Sequence, residues 1–264
     1  MRRSMLLLSL IGALAVLGVS AGAAQAQPPE FGQCVKVSPK GSGEYKDKNC
    51  QDNLGKGGAY DWIPIVKPFI FNDEDRGATF RYYVGFPPFR FVVVVTCKKS
   101  ESYTDYISRY DVITHIVYVE CSLRIEHILY PCTTPGSAQG TIETQSLAGT
   151  LGYTNEADTE VGIDFANAEL GSAGALTTIE CDGLRTVISG SVIAKVTGDV
   201  NKMSAKNDQT YAETEGVQTP DQLEGGPLDT PLADSTFGEE HGEAAATIAA
   251  VEKESGKEKI EIKL

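Results

Sequence analysis

Histidine is scarce in this sequence, with three copies among 264 residues, and tryptophan occurs once. The H-E-x-x-H, G-x-S-x-G and G-x-x-x-x-G-K motifs, which carry zinc hydrolysis, serine-nucleophile chemistry and phosphate binding, are absent. No two cysteines form a C-x-x-C pair, so the spacing excludes zinc ribbons and thioredoxin-like redox motifs. The sequence therefore offers no motif of these hydrolase, nucleotide-binding or structural zinc classes.

Long apolar runs are lacking after residue 26, and no later segment could span a bilayer as a helix. Residues 1–26 are typical of a secretory signal peptide. Arg2 and Arg3 precede the apolar run MLLLSLIGALAVLGV, and Ala24 and Ala26 form an A-x-A pattern before Gln27. We therefore expect a mature protein that is secreted or extracellular, with cell-wall association as a further option and with no membrane span.

Six cysteines follow the predicted signal peptide. An even number of cysteines in an exported chain favours disulfides, although six cysteines allow 15 connectivities. One pair is symmetric about Ser42, the centre of the glycine-rich turn KGSGE, and another is symmetric about Arg109, between two β-branched runs. These two symmetries leave a third, long-range pair. The predicted disulfides are Cys34–Cys50, Cys97–Cys121 and Cys132–Cys181.

Strand signals dominate the mature chain. FRFVVVVTC, DVITHIVYVEC and LRTVISGSVIAKV are β-branched, and Asp182-Gly183 is a strong hairpin turn. We predict an all-β protein: an antiparallel β-sandwich of roughly ten to twelve strands over residues 69–264, preceded by a small module over residues 27–68 that contains the Cys34–Cys50 hairpin. Within the sandwich, residues from about 197 to 237 are expected to be irregular and acidic, and the C-terminal sequence is expected to form a hairpin that turns at ESGK.

Basic residues are few between residues 141 and 240, where four lysines and arginines stand against eighteen acidic residues. This imbalance disfavours nucleic-acid binding, because phosphate backbones repel an acidic surface. Solubility explains the acidity, and cation binding is the alternative. Asp73 and Asp75 of the NDED segment are the candidate calcium ligands, although the segment does not fit an EF-hand loop.

Aromatic residues are concentrated between residues 60 and 91. Their first interpretation is core packing, since period-two spacing places pairs of them on one face of a strand. The functional alternative is an exposed platform that stacks on sugar rings or on a partner protein. Tyr60 and Trp62 are the candidate ligand-binding members of this group, which comprises Tyr60, Trp62, Phe69, Phe71, Phe80, Tyr82, Tyr83, Phe86, Phe89 and Phe91.

Several segments together resemble a group of exported proteins. They are FGQCVKV, GEYKDKNC, AYDW, PCTTPGSAQGTIETQSLAGTLGY, VGIDF and GSVIAKV. Through these segments the chain resembles uncharacterised secreted β-rich proteins with six cysteines from high-GC Gram-positive soil bacteria. The shared segments are mainly cysteines, turns and strand starts, and the resemblance supplies no activity, cofactor or site residue.

The sequence favours a non-enzymatic secreted or cell-surface protein with a binding or structural role in the cell envelope. Its expected partner is a cell-wall glycan or another surface protein, and no cofactor or catalytic residue is predicted. The alternative is an extracellular carbohydrate-active enzyme that uses paired carboxylates and an aromatic platform. A second alternative is a calcium-dependent adhesion module.

Overall fold

The structure is a computed structural model that describes residues 27–65, 69–74, 77–85, 91–155 and 157–264. The predicted signal peptide lies outside these ranges. Within them the regular secondary structure is entirely β-strand, and every pairing is antiparallel. The strands are β1 (Glu30–Lys36), β2 (Gly43–Tyr45), β3 (Asn53–Gly58), β4 (Tyr60–Pro64), β5 (Phe69–Glu74), β6 (Ala78–Val84), β7 (Phe91–Thr96), β8 (Lys99–Tyr106), β9 (Asp111–Val119), β10 (Ser122–Ile125), β11 (Ile128–Thr133), β12 (Ile142–Glu143), β13 (Leu147–Tyr153), β14 (Val161–Asn167), β15 (Ala175–Cys181), β16 (Leu184–Ser189), β17 (Ser191–Val196), β18 (Ser204–Thr214), β19 (Val217–Thr219), β20 (Leu232–Phe237) and β21 (Glu240–Lys263).

Eight strands close into a first barrel, in the order β9, β13, β14, β17, β18, β21, β5 and β8, with β8 pairing back to β9. Alternate residues of β8 and β9 are buried, as expected for strands with one face turned inward. Side chains can fill the interior of a barrel of this size.

A second circuit of eight strands shares β21 with the first. Its order is β6, β7, β10, β11, β15, β16, β20 and β21, with β21 pairing back to β6. The antiparallel all-β prediction is confirmed, but the sheets close on themselves instead of stacking as two open layers. Sandwiches and barrels both bury one face of each strand, so alternation alone does not distinguish them.

The long strand β21 joins the two barrels. Residues 246–250 pair with β6, residues 250–255 pair with β18, and residues 254–256 pair with β5. The predicted hairpin at ESGK is therefore wrong. Ser255 and Gly256 lie within the ladder, opposite Asn72 and Phe71 of β5, instead of forming a turn.

The three predicted disulfides are all present, and none of the six cysteines is free. The symmetry about Arg109 is real, but the hairpin that turns there joins β9 to β8 and not to the FRFVVVVTC run. Cys97 lies two residues before the start of β8 and Cys121 two residues after the end of β9, which places the two cysteines side by side. Cys132 and Cys181 lie directly opposite each other on β11 and β15.

The N-terminal strands are attached to the rest of the chain by pairing and by packing. β1 pairs with β4 and with the end of β21, and it does not pair with β2, although the disulfide links Cys34 to Cys50. Phe31 of β1 is fully buried and packs edge-to-face on Tyr106, with ring centroids 4.9 Å apart. The Cys34–Cys50 disulfide thus links β1 to the segment between β2 and β3, and both β1 and β2 pair with β4.

The segment that was expected to be irregular, residues 197–237, contains β18, β19 and β20. Irregular chain is concentrated in residues 220–231, which we call the flap. The flap connects the small hairpin β18–β19 to β20 and lies over the outer face of the first barrel, where Leu223 packs against Gly152 of β13.

Candidate functional site

Tyr60 and Trp62 lie two residues apart on β4 and are both half-buried. The Trp62 ring covers Gly32 so closely that a Cβ atom there would lie 2.1 Å from Cζ2. The Lys263 ammonium lies 4.6 Å from the centre of the Trp62 ring, a cation–π distance. Burial raises the pKa of the neighbouring Glu261, and Lys263 and Trp62 partly oppose this. The Trp62 side chain therefore contacts β1 through Gly32 and β21 through Lys263. A role of Trp62 in ligand binding stays a prediction.

The structure describes only one of the two predicted calcium ligands. Asp75 lies outside the described residues. The backbone of Asp73 lies on β5, directly opposite Glu254 of β21 and Ser102 of β8. Among the described residues that could be searched, no group of three or more histidine, cysteine or acidic side chains is placed to hold a metal ion.

The calcium-dependent alternative predicts a higher unfolding temperature in calcium than in chelator, because a cation that binds only the folded state stabilises it by mass action. Thermal unfolding of the wild type and of Asp73→Asn in both solutions tests this prediction. Asp52→Asn, which alters an exposed acid near Cys50, is the control. Equal unfolding temperatures of the wild type in calcium and in chelator would rule out this alternative.

The interior of the first barrel contains a band of buried polar side chains. They come from β8, β9, β18 and β21, and each is at most 7% exposed. Glu252 and Glu254 lie on the same face of β21, two residues apart, at 3% exposure each. Among the described side chains, the band comprises Ser100, Ser102, Thr104, Tyr106, Thr114, Asn207, Gln209, Glu252 and Glu254.

Hydroxyl groups donate to both carboxylates. Thr104 Oγ1 and Tyr106 OH each lie 2.6 Å from an oxygen of Glu254, and Ser100 Oγ lies 3.2 Å from Glu252 Oε2. Burial raises the pKa of Tyr106 well above its usual value, and the charge of Glu254 adds to the effect. Buried carboxylates are tolerated only where such donors compensate for lost hydration.

Sequence reasoning missed Glu252 and Glu254 because the ESGK segment was interpreted as a turn. The available signal was the alternation that continues from Ala250 through Glu252 to Glu254, which places all three on one face of a strand. At 3% exposure the two carboxylates are out of reach of a substrate in solution. We therefore interpret the band as a structural network of the barrel.

A different feature lies on the surface at one end of the second barrel. The end of β6 and the start of β7 lie at this end together with the hairpin turns β10–β11, β15–β16 and β20–β21, because neighbouring strands in the circuit alternate in direction. Three of these hairpins bear seven large hydrophobic side chains that are 40–67% exposed. We call this group the apolar rim: Tyr83, Phe91, Val92, Ile125, Ile128, Leu129 and Phe237.

The apolar rim accounts for half of the fourteen exposed large hydrophobic residues found among the described side chains. Contacts between turns help to order it. The ring of Phe237 reaches the β15–β16 turn, where a Cβ atom at Gly183 would lie 3.8 Å from Cε2. Single exposed apolar residues are ordinary on protein surfaces, whereas several of them at one end of a barrel form a candidate interaction surface.

Acidic side chains surround the apolar rim. Glu126 lies in the β10–β11 turn, Asp182 in the β15–β16 turn, and Glu239 and Glu240 at the β20–β21 turn, and all four are exposed. Arg124 and Arg185 are basic residues near the turns of the same hairpins, and Arg185 is paired with Glu180 at 3.3 Å. The rim thus presents an apolar centre with an acidic edge.

No family model, curated protein or solved structure matches this chain. In the part of the chain that was searched for such segments, no helix is long and apolar enough to cross a membrane. The three disulfides indicate folding in an oxidising environment.

Proposed function

We propose that this protein is exported and acts outside the cell as a non-enzymatic binding protein of the envelope, with the apolar rim as its contact surface. The observation that supports the proposal best is the group of seven exposed hydrophobic side chains at one end of the second barrel. The predicted signal peptide and the three disulfides support the extracellular location.

The rim has the physical properties of a binding surface. Burial of a phenylalanine or isoleucine side chain contributes about 1.5–3 kcal/mol, so a few such side chains supply most of the energy of a specific contact. The rim side chains lie at or beside the ends of paired strands of a closed barrel, and the strand pairing holds them in place. Little conformational entropy is then lost on binding.

The composition of the rim favours a protein partner over a cell-wall glycan. Sugar rings stack on flat aromatic faces, whereas four of the seven rim residues are aliphatic and suit the apolar centre of a protein interface. The acidic edge favours a partner that carries lysine or arginine around an apolar patch. Another surface protein with a basic edge therefore fits best.

The geometry gives less support to the carbohydrate-active alternative. The carboxyl groups of glycosidases stand about 5–9.5 Å apart on either side of a substrate. Glu252 and Glu254, which lie on the same face of β21, are instead buried inside the first barrel. Trp62 lies on β4 and is not a member of this pair.

The double variant Phe91→Ser, Ile128→Ser is expected to bind the cell-surface fraction of the source organism at least about tenfold more weakly than the wild type. The expected loss equals about 1.4 kcal/mol, less than the burial of the two side chains contributes. The measurement is the bound fraction against protein concentration, before and after protease treatment of the cell-surface fraction.

Leu170→Ser is the matched control, because Leu170 is 66% exposed but lies in the turn that precedes β15, at the end of that strand away from the rim. It should bind like the wild type. Binding that survives protease treatment would identify a glycan in place of a protein. Equal binding of the rim variant and the control would contradict the proposed contact surface.

A further inference from the structure

The N-terminal strands and the end of β21 form a small sheet, and one face of this sheet carries lysine side chains. β1 pairs with β4 on one side and with β21 on the other, and residues directly opposite each other share a face. Lys263 lies opposite Glu30, and Lys36 follows Glu30 at an even spacing along β1. Lys259 alternates in the same way with Lys263 along β21. We call Lys36, Lys259 and Lys263, which are all exposed, the lysine face.

The opposite face of the same sheet is apolar and packs inward. Phe31 of β1 is fully buried, and Ile262, which lies opposite it on β21, is 2% exposed, as is Ile260. Apolar packing on one side therefore fixes the sheet in place. The lysine face lies on the other side, where a ligand can reach it without disturbing this packing.

The three lysines of this face form no ion pair within the part of the chain that the structure describes. Lys263 lies 4.6 Å from the centre of the Trp62 ring, and Lys259 Nζ donates to Asn49 Oδ1 at 3.2 Å. Both partners are uncharged, so these contacts position the ammonium groups and leave their charge in place.

The register also places Glu30 and Glu261 on the lysine face. Glu30 Oε1 accepts a hydrogen bond from Tyr110 OH at 3.0 Å and lies 3.5 Å from Arg109 Nη1, so it is already paired. Glu261 is 8% exposed, and burial raises its pKa more than the charge of Lys263 lowers it. The positive charge at the surface of this face is therefore not compensated by these two acids.

Charge is divided unevenly between this sheet and the rest of the chain after residue 26. Residues 27–65 and 257–264 contain eight lysines and seven acidic residues, whereas residues 66–256 contain 13 basic and 29 acidic residues. At physiological ionic strength, charges more than about 8 Å apart are largely screened, so an anionic group at the lysine face interacts mainly with the nearby lysines. The acidic remainder repels the same group from other surfaces of the protein.

We propose that the lysine face binds an anionic polymer of the cell envelope, one that carries carboxylate or phosphate groups at intervals along its chain. Lys259 and Lys263 are separated by about 13 Å along β21, and Lys36 lies on the neighbouring strand β1. Exposed lysines at this spacing do not enclose a single small anion, whereas an extended polymer can contact all three. This inference concerns a different surface from the apolar rim and does not depend on it.

A lipid surface fits this face less well, because membrane binding also needs apolar side chains that enter the acyl region. The aromatic residues on the face, Tyr60 and Trp62, are half-buried. The Trp62 ring packs over Gly32 and holds the Lys263 ammonium, so it is not available for insertion. Leu54, the exposed large hydrophobic residue described among residues 27–65, lies on β3, outside the strands of this face.

Binding of the full mature chain to soluble polymers, measured by biolayer interferometry at low and at high salt, tests the proposal. Alginate supplies repeated carboxylates, poly(glycerol phosphate) supplies repeated phosphates, and dextran is the neutral polymer. We expect the wild type to bind at least one of the two anionic polymers, more weakly at high salt, and not to bind dextran. Binding to only one of them identifies the anionic group that the lysine face recognises.

The triple variant Lys36→Gln, Lys259→Gln, Lys263→Gln should bind the anionic polymer about tenfold more weakly than the wild type, or weaker still. Each exposed charge contact contributes roughly two- to fivefold, and three such contacts are lost. The three side chains are exposed, so the variant should fold like the wild type. Its remaining binding should also depend less on salt.

The matched control removes the same number of positive charges elsewhere and should bind like the wild type: Lys98→Gln, Lys99→Gln, Arg185→Gln. Lys98 and Lys99 lie at the start of β8, whereas the N-terminal sheet meets the first barrel beyond the other end of β8, where the Phe31 N–H donates to the Arg109 carbonyl. Equal affinities of the two triple variants, or wild-type binding to neither anionic polymer, would overturn the proposal. Binding to phosphatidylglycerol vesicles without binding to either polymer would overturn it as well.

Discussion

Replacement of Cys132 and Cys181 by alanine should lower the free energy of unfolding by about 4 kcal/mol. The disulfide joins residues 49 positions apart, and a cross-link that closes a loop of this length removes much of the entropy of the unfolded chain. Both cysteines are almost completely buried, and they lie opposite each other where β11 meets β15. Of the three disulfides, this one joins the cysteines that are farthest apart in sequence. It links two neighbouring strands of the second barrel, β11 and β15.

The matched comparison is the Cys34→Ala, Cys50→Ala protein. Its loop spans 16 positions, for which the same model gives about 3 kcal/mol. Urea unfolding of both variants and of the wild type measures the two losses. A smaller loss for the Cys132–Cys181 variant than for the Cys34–Cys50 variant would contradict the account of how the second barrel is held closed.

The second large effect is expected inside the first barrel, where Tyr106→Phe should cost about 2–3 kcal/mol. The change removes only the hydroxyl, so it leaves no large cavity. It deprives Glu254 of a 2.6 Å hydrogen bond and Asn207 of the acceptor that its amide reaches at 2.5 Å. A buried carboxylate that loses a donor is destabilised more than a neutral group would be.

Tyr103→Phe is the control for this prediction. Tyr103 lies on the same strand, β8, but on its outer face, where it is 50% exposed. Loss of its hydroxyl should change stability by no more than about 0.5 kcal/mol. Equal unfolding free energies for the Tyr106→Phe and Tyr103→Phe proteins would show that the buried polar band contributes little to the barrel.

The Cys97–Cys121 disulfide was predictable because it follows from local symmetry, and Cys132–Cys181 was then predicted by elimination. The β8–β9 hairpin turns near Arg109, so Cys97 and Cys121 are equidistant from the turn and meet beyond the strand ends. The hairpin itself was misassigned, since the strand that pairs with β9 is the polar KSESYTDY segment and not the β-branched run before it. Polar residues alternate along β8 on its inward face as well, which hides the usual hydrophobic signal.

Barrel closure and the long strand β21 were not predictable in the same way. Period-two alternation shows that a face is buried, but it does not show which strand lies beside it. Gly256 and the charged residues around it suggested a turn. In the structure this segment is part of β21, which pairs there with β18 on one side and with β5 on the other. Only the pairing of distant segments reveals that one strand serves two barrels.

The apolar rim shares this limit. Ile128 and Phe237 are more than a hundred positions apart in sequence, and each was a single apolar residue beside a turn. Sites of this kind arise from tertiary placement, so the composition of the chain indicated an acidic protein without indicating where its acids meet.

Photo-crosslinking on intact cells of the source organism tests the proposed contact surface most directly. A benzoylphenylalanine at position 128, on the rim, is compared with one at position 170, which is similarly exposed but remote from the rim. We predict a discrete protein adduct from position 128 that the Phe91→Ser change weakens, and none from position 170. Adducts of equal yield from both positions, or none from position 128, would contradict the assignment of the rim as the binding surface.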